Sequence, residues 1–286
     1  MKQAIFALCA TMTAALASCT DYNQVTKTQD YEYKYEAAKQ YYAEGYYNRA
    51  ATVVQDVLSV LKGTDQGEES LFLSGMCNMK AKSYEAAATI FKKYYETYPK
   101  GKYAEEARFN TGYCYYMETP EPKLDQTETF SAVTEFQNFI ENYPSSRLRQ
   151  QAQDYIFKLQ DKLVEKEYLS AKLYYDLGAY IGNGTNGNYG ACIVTAENAL
   201  KDYPYMSRRE DFAILILKAK FQLANLSVES KKEERFNAAI DEYYGFMTEY
   251  PESKYTKEAQ SLFKKAKKYT DKYGSSEDAA ADGSES

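Results

Sequence analysis

Histidine and tryptophan are absent from this chain of 286 residues, and proline occurs only six times. Without histidine, the chain has no imidazole to act as a catalytic base or as a zinc ligand. Its 41 acidic side chains exceed its 35 basic ones, which argues against a protein that binds a phosphate backbone. We therefore expect a protein that is not an enzyme, has no cofactor or metal, and does not bind nucleic acid.

The residues that are abundant favour helix. Hydrophobic residues make up 44% of the chain, enough for a packed interior, and tyrosine alone occurs 31 times. Few prolines and many alanine, lysine, glutamate and glutamine residues are typical of helical proteins. The composition predicts an all-α fold.

The N-terminus has the pattern of a lipoprotein signal peptide. Lys2 precedes a short apolar segment that is too short to span a bilayer as a mature helix. The residues Leu16-Ala17-Ser18-Cys19 resemble a bacterial lipobox, in which cleavage precedes a cysteine whose thiol carries lipid. An ordinary secretory signal that ends near a cysteine is the alternative. We expect a signal peptide at residues 1–18, acylation of Cys19 and a polar tether at 19–30.

Three cysteines remain after Cys9 and Cys19 are set aside, namely Cys77, Cys114 and Cys192. An odd number excludes a complete disulfide framework, and no C-x-x-C motif is present. We expect these three side chains to be buried and unpaired.

The dipeptide Tyr-Pro occurs four times and marks a repeat. With the prolines aligned, the residue twelve positions earlier is always small, and the residues eight and five positions earlier are mostly aromatic. This spacing places one stripe on one face of a helix that the proline ends, after which we expect the next helix to start at the proline. The aligned positions are Ala87, Phe91 and Tyr94; Ala132, Phe136 and Phe139; Cys192, Ala196 and Ala199; and Ala239, Tyr243 and Phe246.

A second helix precedes each of these stripes. Ala38, Gly75 and Gly112 recur 37 residues apart and are predicted points of close helix packing. Leu71, Gly75, Ala87, Phe91 and Pro99 resemble the tetratricopeptide repeat, a helix-turn-helix unit that stacks into a solenoid.

The resemblance implies an α-solenoid of about five such units, with repeats 1–3 at residues 31–144 and repeats 4–5 at 145–273. Gly178 is the expected packing point of the fourth unit. An additional helix is expected at about Ser146 to Val164, and a capping helix at Ser253 to Tyr273. The polar, acidic residues 274–286 are expected to be disordered.

In tetratricopeptide stacks the first helix of each unit lines a concave groove. The resemblance makes Phe72 a groove position, with Tyr35, Phe109, Tyr175 and Ile216 as its equivalents. Further predicted groove residues, two turns on, are Tyr42, Met79 and Tyr116. Repeated aromatics at such positions favour binding of a peptide, whereas packing within the protein is the alternative interpretation of the same stripe.

Two other motifs do not predict a nucleotide-binding or catalytic site. Residues Gly182 to Gly187 match G-x-G-x-x-G, but they follow a tyrosine-rich helix rather than a strand, so we interpret the segment as an inter-helix loop. The adjacent carboxylates Glu68-Glu69 and Glu105-Glu106 diverge on a helix, and we expect solvated charges in first turns.

Together, the lipobox, the repeats and the Tyr-Pro closures resemble the BamD family of outer-membrane protein assembly lipoproteins. The segment Tyr143-Pro144-Ser145-Ser146 and the residues Leu163, Tyr168 and Ala171 carry the more specific part of the likeness. The resemblance implies a lipid-anchored scaffold on the periplasmic face of the outer membrane. Its expected partners are the β-barrel insertase, other assembly lipoproteins and unfolded outer-membrane proteins, with the membrane reached through Cys19.

Two other functions, one of a binding protein and one of an enzyme, are alternatives to the scaffold. A glycan-capturing or envelope-coordinating lipoprotein also uses helical repeats, although tryptophan, which carbohydrate sites favour, is absent. A carboxylate-based glycosidase needs two carboxylates in one cleft, and the sequence contains no pair that would predict one.

Overall fold

The protein is all-α, as the sequence predicts. A computed structural model describes residues 22–179 and 187–282, and side chains as far as residue 272. Twelve helices and no strand occur in this part of the chain. They are α1 (22–27), α2 (Tyr31–Ala43), α3 (Tyr47–Val60), α4 (Asp65–Lys80), α5 (Tyr84–Thr97), α6 (Ala104–Glu118), α7 (Thr127–Asn142), α8 (Arg149–Leu177), α9 (Gly187–Asp202), α10 (Arg209–Asn225), α11 (Glu229–Glu249) and α12 (Thr256–Asp282).

The helices stack as tetratricopeptide-like hairpins. The two helices of each hairpin pack together, and the first helices of successive hairpins also meet, as α2 does with α4 and α4 with α6. Several hydrogen bonds among the first three hairpins join residues 34 positions apart. Tyr35 Oη donates to Glu69 Oε2 over 2.6 Å, and Lys102 N donates to Glu68 Oε1 over 2.8 Å. A fixed offset between neighbours is what a repeated stacking geometry requires.

The Tyr-Pro dipeptides end helices, as predicted, but they do not start the next ones. Each tyrosine follows the last residue of α5, α7, α9 or α11 and donates its backbone N–H to the carbonyl four residues earlier. The following helix begins five residues after each proline, because the chain first makes a turn. In that turn the tyrosine carbonyl accepts the N–H three residues on, such as Gly101 N to Tyr98 O at 2.9 Å.

The predicted stripes before each Tyr-Pro form the core. The small residues twelve positions earlier are all buried, and so are eleven of the twelve stripe positions; Tyr243 is half-buried. Cys77, Cys114 and Cys192 are buried and unpaired, as expected, and burial raises the pKa of each thiol to about 12.

The predicted packing points Gly75 and Gly112 are confirmed. A Cβ added to Gly75 would lie 2.5 Å from the Phe91 ring, and one added to Gly112 would lie 3.0 Å from the Phe136 ring. Gly178 is also closely packed, since an added Cβ would lie 2.7 Å from Tyr189 Oη, but it lies after the end of α8 at a φ of +52°, so it terminates that helix. Ala171, fully buried in α8, occupies the interior there.

Helix α8 combines two helices that the sequence predicts as separate elements. The additional helix expected at 146–164 and the first helix of the fourth repeat form one helix of 29 residues. Nothing in this segment breaks a helix, because no proline or glycine occurs between Pro144 and Gly178.

Three other boundaries differ from the predicted ones. Residues 22–27, expected in a polar tether, form α1, whose Val25 is buried. Tyr189, expected in a loop, lies in the first turn of α9. Helix α12 extends to Asp282, into the tail that the sequence predicts to be disordered, and residues 283–286 lie outside the described residues.

The chain divides into two compact units. Unit 1 extends to Pro120 and includes Gln126–Leu159, whereas unit 2 contains Glu121–Asp125 and the chain from Gln160 onwards. The division falls within α8, beyond the boundary between repeats 3 and 4 that the sequence places after Pro144. Each unit has its own interior, with α2 to α7 in unit 1 and α9 to α12 in unit 2.

Candidate functional site

The predicted groove positions fall into two classes of exposure. Tyr35, Phe72 and Phe109 are buried, with 3%, 8% and 6% of their surface exposed, and Ile216 is buried as well. The ring of Phe72 stacks on that of Tyr103 with centroids 4.4 Å apart. Packing within the protein, the alternative interpretation, accounts for these four positions.

The other predicted positions keep part of their surface accessible. Tyr42, Met79 and Tyr116 are half-buried and lie on α2, α4 and α6, the first helices of repeats 1–3. Tyr175 of unit 2 is also half-buried, with its ring centroid 5.6 Å from that of Tyr189. An accessible apolar ring or thioether is what a peptide groove requires, so these residues remain candidates.

Helices α4 and α6 carry a second accessible pair that is not among the predicted groove residues. Met76 and Tyr113 are half-buried, lie 37 residues apart and each precede a predicted groove residue by one turn. Asn110 Nδ2 donates to the sulfur of Met76 over 3.6 Å, which links α6 to α4. The 37-residue period also relates these two residues, so the pattern could have predicted them had it been applied one helical turn before Met79 and Tyr116. We call Tyr42, Met76, Met79, Tyr113 and Tyr116 the methionine–tyrosine stripe.

Helix α8 adds a further ring to this face of unit 1. The ring centroid of Tyr155 lies 4.6 Å from that of Tyr116 and 5.8 Å from that of Tyr113. The same ring stacks on Phe136 in the interior. Because Tyr155 contacts both the core and the stripe, the stripe tyrosines are held in place.

An open pocket of about 730 Å³ lies at the N-terminal end of α6. Phe109 and Leu148 provide apolar walls, and the Tyr-Pro turn before α8 provides serines and Arg147. Phe109, Tyr113 and Tyr116 recur along α6 at helical spacing, so one face of that helix connects the pocket with the stripe. The full lining is Lys102, Glu105, Glu106, Phe109, Asn110, Ser145, Ser146, Arg147 and Leu148.

The pocket carries both signs of charge. Burial, together with the charge of Glu105, raises the pKa of the Glu106 carboxyl. Lys102 lies with Nζ 4.9 Å from the Tyr103 ring centroid, and the hydrogen bond with Tyr103 raises the pKa of its ammonium group. Arg147 is exposed and forms no ion pair among the described residues. The pocket can therefore offer cations to a carboxylate and a carboxyl group to an N–H donor.

The paired carboxylates are not simply solvated, contrary to expectation. Glu68 accepts hydrogen bonds from Tyr94 Oη and from Lys102 N in the following Tyr-Pro turn. Glu105 accepts one from Ser146 Oγ in the next such turn. Although both lie in first turns of helices, as predicted, their role is to join neighbouring hairpins.

Two predicted features lie outside the described residues. These are Cys19, the predicted acylation site, and Gly182 to Asn186 of the glycine-rich segment. Across the described parts of the chain, no helix is both long enough and apolar enough to span a membrane, and no cluster of cysteine, aspartate and glutamate could hold a metal ion.

A family model for YfiO, described as an outer membrane lipoprotein, matches residues 27–184. The match covers more than half of the chain. The chain belongs to this family. It is therefore an outer membrane lipoprotein, consistent with the lipobox at its N-terminus. No curated protein matches the chain.

Proposed function

We propose that this lipoprotein is a non-catalytic scaffold of the machinery that assembles β-barrel proteins in the outer membrane. It is anchored through acylated Cys19, faces the periplasm, and binds the insertase, other assembly lipoproteins and segments of unfolded barrels. The observation that carries the proposal is the amphiphilic pocket beside the methionine–tyrosine stripe, within the segment that the family model matches.

The pocket has the chemistry to receive the end of an unfolded barrel strand. Such an end carries an aromatic side chain and a terminal carboxylate, as the resemblance to barrel-assembly lipoproteins implies. Phe109 and Leu148 offer apolar contact for the ring, and Lys102 and Arg147 can donate to the carboxylate. Residues further along the segment would lie against the stripe, where the fixed tyrosine rings offer contact area and the flexible thioethers adapt to different apolar side chains.

Modest affinity is expected for each substrate. An extended segment must be ordered when it binds, which consumes part of the interaction free energy. A scaffold that receives many barrel sequences also needs contacts that do not depend on one side chain. Half-buried methionines and tyrosines satisfy that need better than fully enclosed pockets.

The test measures binding of a peptide that ends in an aromatic residue to the full-length protein in detergent. We expect Met79→Ala with Tyr116→Ala to weaken binding about tenfold, because accessible apolar contact is lost. Phe130→Ala is the matched control, since this ring is 56% exposed on α7 and lies outside the stripe. Phe72 and Phe109 are unsuitable probes, because truncating a buried ring destabilises the fold.

A second arm tests the terminal carboxylate. Amidating the peptide and changing Arg147→Ala should each weaken binding about threefold to tenfold, and the two effects should not add. Equal binding of the acid and the amide would remove the carboxylate proposal, and unchanged affinity of the stripe variant would remove the groove proposal. Mass spectrometry of the mature N-terminus, and co-purification of a barrel insertase from detergent extracts, test the anchor and the partner.

A further inference from the structure

Unit 2 contains a second open groove, separate from the stripe. It has a volume of about 510 Å³ and lies between the 121–125 segment and the C-terminal part of α8. Lysines and leucines make up most of its lining. The lining includes Lys123, Lys166, Leu169, Lys172, Leu173 and Asp176.

The apolar part of the groove is one face of α8. Leu169, Leu173 and Leu177 follow one another at four-residue intervals and therefore share a face. Leu173 is 57% exposed and Leu177 is 40% exposed, and Leu124 of the opposing segment is 58% exposed. Of these leucines, Leu169 and Leu173 line the groove itself, and covering their apolar surface with a partner gains free energy.

The charged part of the groove is mainly positive. Lys172 forms an ion pair with Asp176, the one carboxylate in the lining. Lys166 Nζ donates to the carbonyl oxygen of Leu124 over 3.4 Å. Among the described residues, neither Lys123 nor Lys166 forms an ion pair with a carboxylate. Lys123 and Lys166 therefore place two positive charges beside the leucines.

We propose that this groove binds an acidic amphipathic helix of a partner protein, with leucine-like side chains against Leu169 and Leu173 and carboxylates beside Lys123 and Lys166. The α8 face from Lys166 to Leu177 is about 16 Å long, which matches about three turns of a bound helix. A helix with apolar residues on one face and glutamates on both flanks complements such a surface in shape and in charge. This inference does not rest on peptide binding by the stripe.

Other occupants fit less well. The acidic tail of this chain at 274–286 has the charge, but alanine is its largest apolar side chain, so it would leave the leucines uncovered. An anionic membrane surface also attracts lysines, but a concave groove suits an inserted helix better than a flat surface.

The experiment uses full-length protein in detergent and a fluorescent synthetic helix with one leucine per turn and glutamates on both flanks. Lys123→Glu with Lys166→Glu should weaken binding about tenfold, and the loss should shrink at high salt, because exposed charges are screened. Leu173→Ala should weaken binding about fivefold without that salt dependence. Because Leu173→Ala leaves the bond from Lys166 to Leu124 intact, it tests the groove even if charge reversal disturbs the 121–125 segment.

Lys264→Glu with Lys265→Glu is the matched control, since both lysines are exposed on α12 and the charge change is the same. It should leave helix binding unchanged, and the groove variants should leave binding of the barrel-derived peptide unchanged. Equal affinity of the helix for the wild-type protein and the groove variants would overturn the proposal. Lysine-dependent binding to vesicles containing phosphatidylglycerol, without binding of the synthetic helix, would also overturn it and would identify a membrane contact.

Discussion

Units 1 and 2 use the same helical hairpin but fill it with different side chains. In unit 1, phenylalanine and tyrosine rings pack against one another, as Phe109 does with Phe136 and Phe139 at centroid distances of 5.6 and 5.4 Å. In unit 2, the interior around α10 is largely aliphatic, with Leu215 and Ile216 buried. Both sets of side chains can fill the interior of a helical hairpin, because close packing depends on matched side-chain volume rather than on one residue type.

The two units also place their charges differently. In unit 2, ion pairs connect segments far apart in the sequence, such as Arg208 with Glu165 at 2.6 Å and Lys218 with Glu258 at 2.8 Å. Among the described residues of unit 1 such pairs are fewer, with Lys34 and Asp56 at 2.6 Å as the example between helices. In both units cations lie over tyrosine rings and tyrosine hydroxyls donate to carboxylates, such as Glu69 in unit 1 and Asp211 in unit 2. Unit 2 should therefore depend more on ionised carboxylates than unit 1 does.

The largest expected effect concerns a helical glycine in each unit. Gly75→Ala should destabilise the protein by about 2 kcal/mol, because the new methyl group would overlap the Phe91 ring. Gly245→Ala in α11 should stabilise it by about 0.5–1 kcal/mol, because no atom lies within 4 Å of the new methyl group and alanine favours helix. Chemical denaturation followed by circular dichroism measures both. A similar loss from both variants would contradict the difference between the close packing around Gly75 and the open surroundings of Gly245.

An intermediate effect is expected when the pH is lowered. Burial opposes ionisation of Asp211, but hydrogen bonds from Tyr255 and Lys254 and the nearby positive charges outweigh it and lower its pKa. The hydrogen bond from Tyr250 and the pairing with Arg209 lower the pKa of Glu249 despite burial. The ionised forms stabilise unit 2 above the ordinary carboxyl pKa of about 4, and that contribution is lost as the pH falls below it through the lowered pKa of each group.

In unit 1, lowering the pH should change the contribution of Glu106 to stability in the opposite direction. Its raised pKa means that the folded protein takes up the proton more readily than the unfolded chain, so acid does not remove stability there. Hydrogen exchange followed by mass spectrometry, corrected for intrinsic rates, should reveal about threefold to tenfold greater loss of protection in α10–α12 than in α4–α6. Asp211→Asn should reduce this difference. Equal losses of protection in the two units would contradict the claim that unit 2 depends more on ionised carboxylates.

The smallest expected effect concerns the residue just after a helix. Lys82 follows the end of α4 at a φ of +63°, where a side chain is strained, whereas Gly178 of unit 2 adopts +52° after α8. Lys82→Gly should stabilise the protein by about 0.5 kcal/mol, and Gly178→Ala should destabilise it by about 1 kcal/mol. Thermal unfolding of the two variants measures these shifts. Lys82→Ala serves as the control, because it shortens the side chain without relieving the strain.

Much of the fold could be predicted from local sequence. The Tyr-Pro dipeptides mark the ends of four helices, since proline cannot continue a helix, and the stripes before them are buried because their spacing is that of one helix face. Where spacing alone gave no stop signal, as between Ser146 and Val164, the predicted boundary was wrong and one long helix formed. The turn after each proline was also missed, because its hydrogen bonds depend on backbone geometry.

The candidate site was less accessible to prediction. Tyr35, Phe72 and Phe109 share a period with Tyr42, Met79 and Tyr116, yet the first three are buried and the last three are partly exposed. A period identifies equivalent positions but does not determine what covers them. Tyr103, which stacks on Phe72, comes from a turn between helices, and no pattern within one helix indicates that contact.

The order of small, aromatic and proline residues along the chain was enough to establish helical hairpins that bury one face, because helix periodicity and proline geometry are local properties. Which rings remain open to a partner, and which carboxylates join neighbouring hairpins rather than face solvent, was decided only when residues 34 or more positions apart came into contact. Burial is a property of all the atoms that surround a side chain, and only the tertiary structure brings those atoms together.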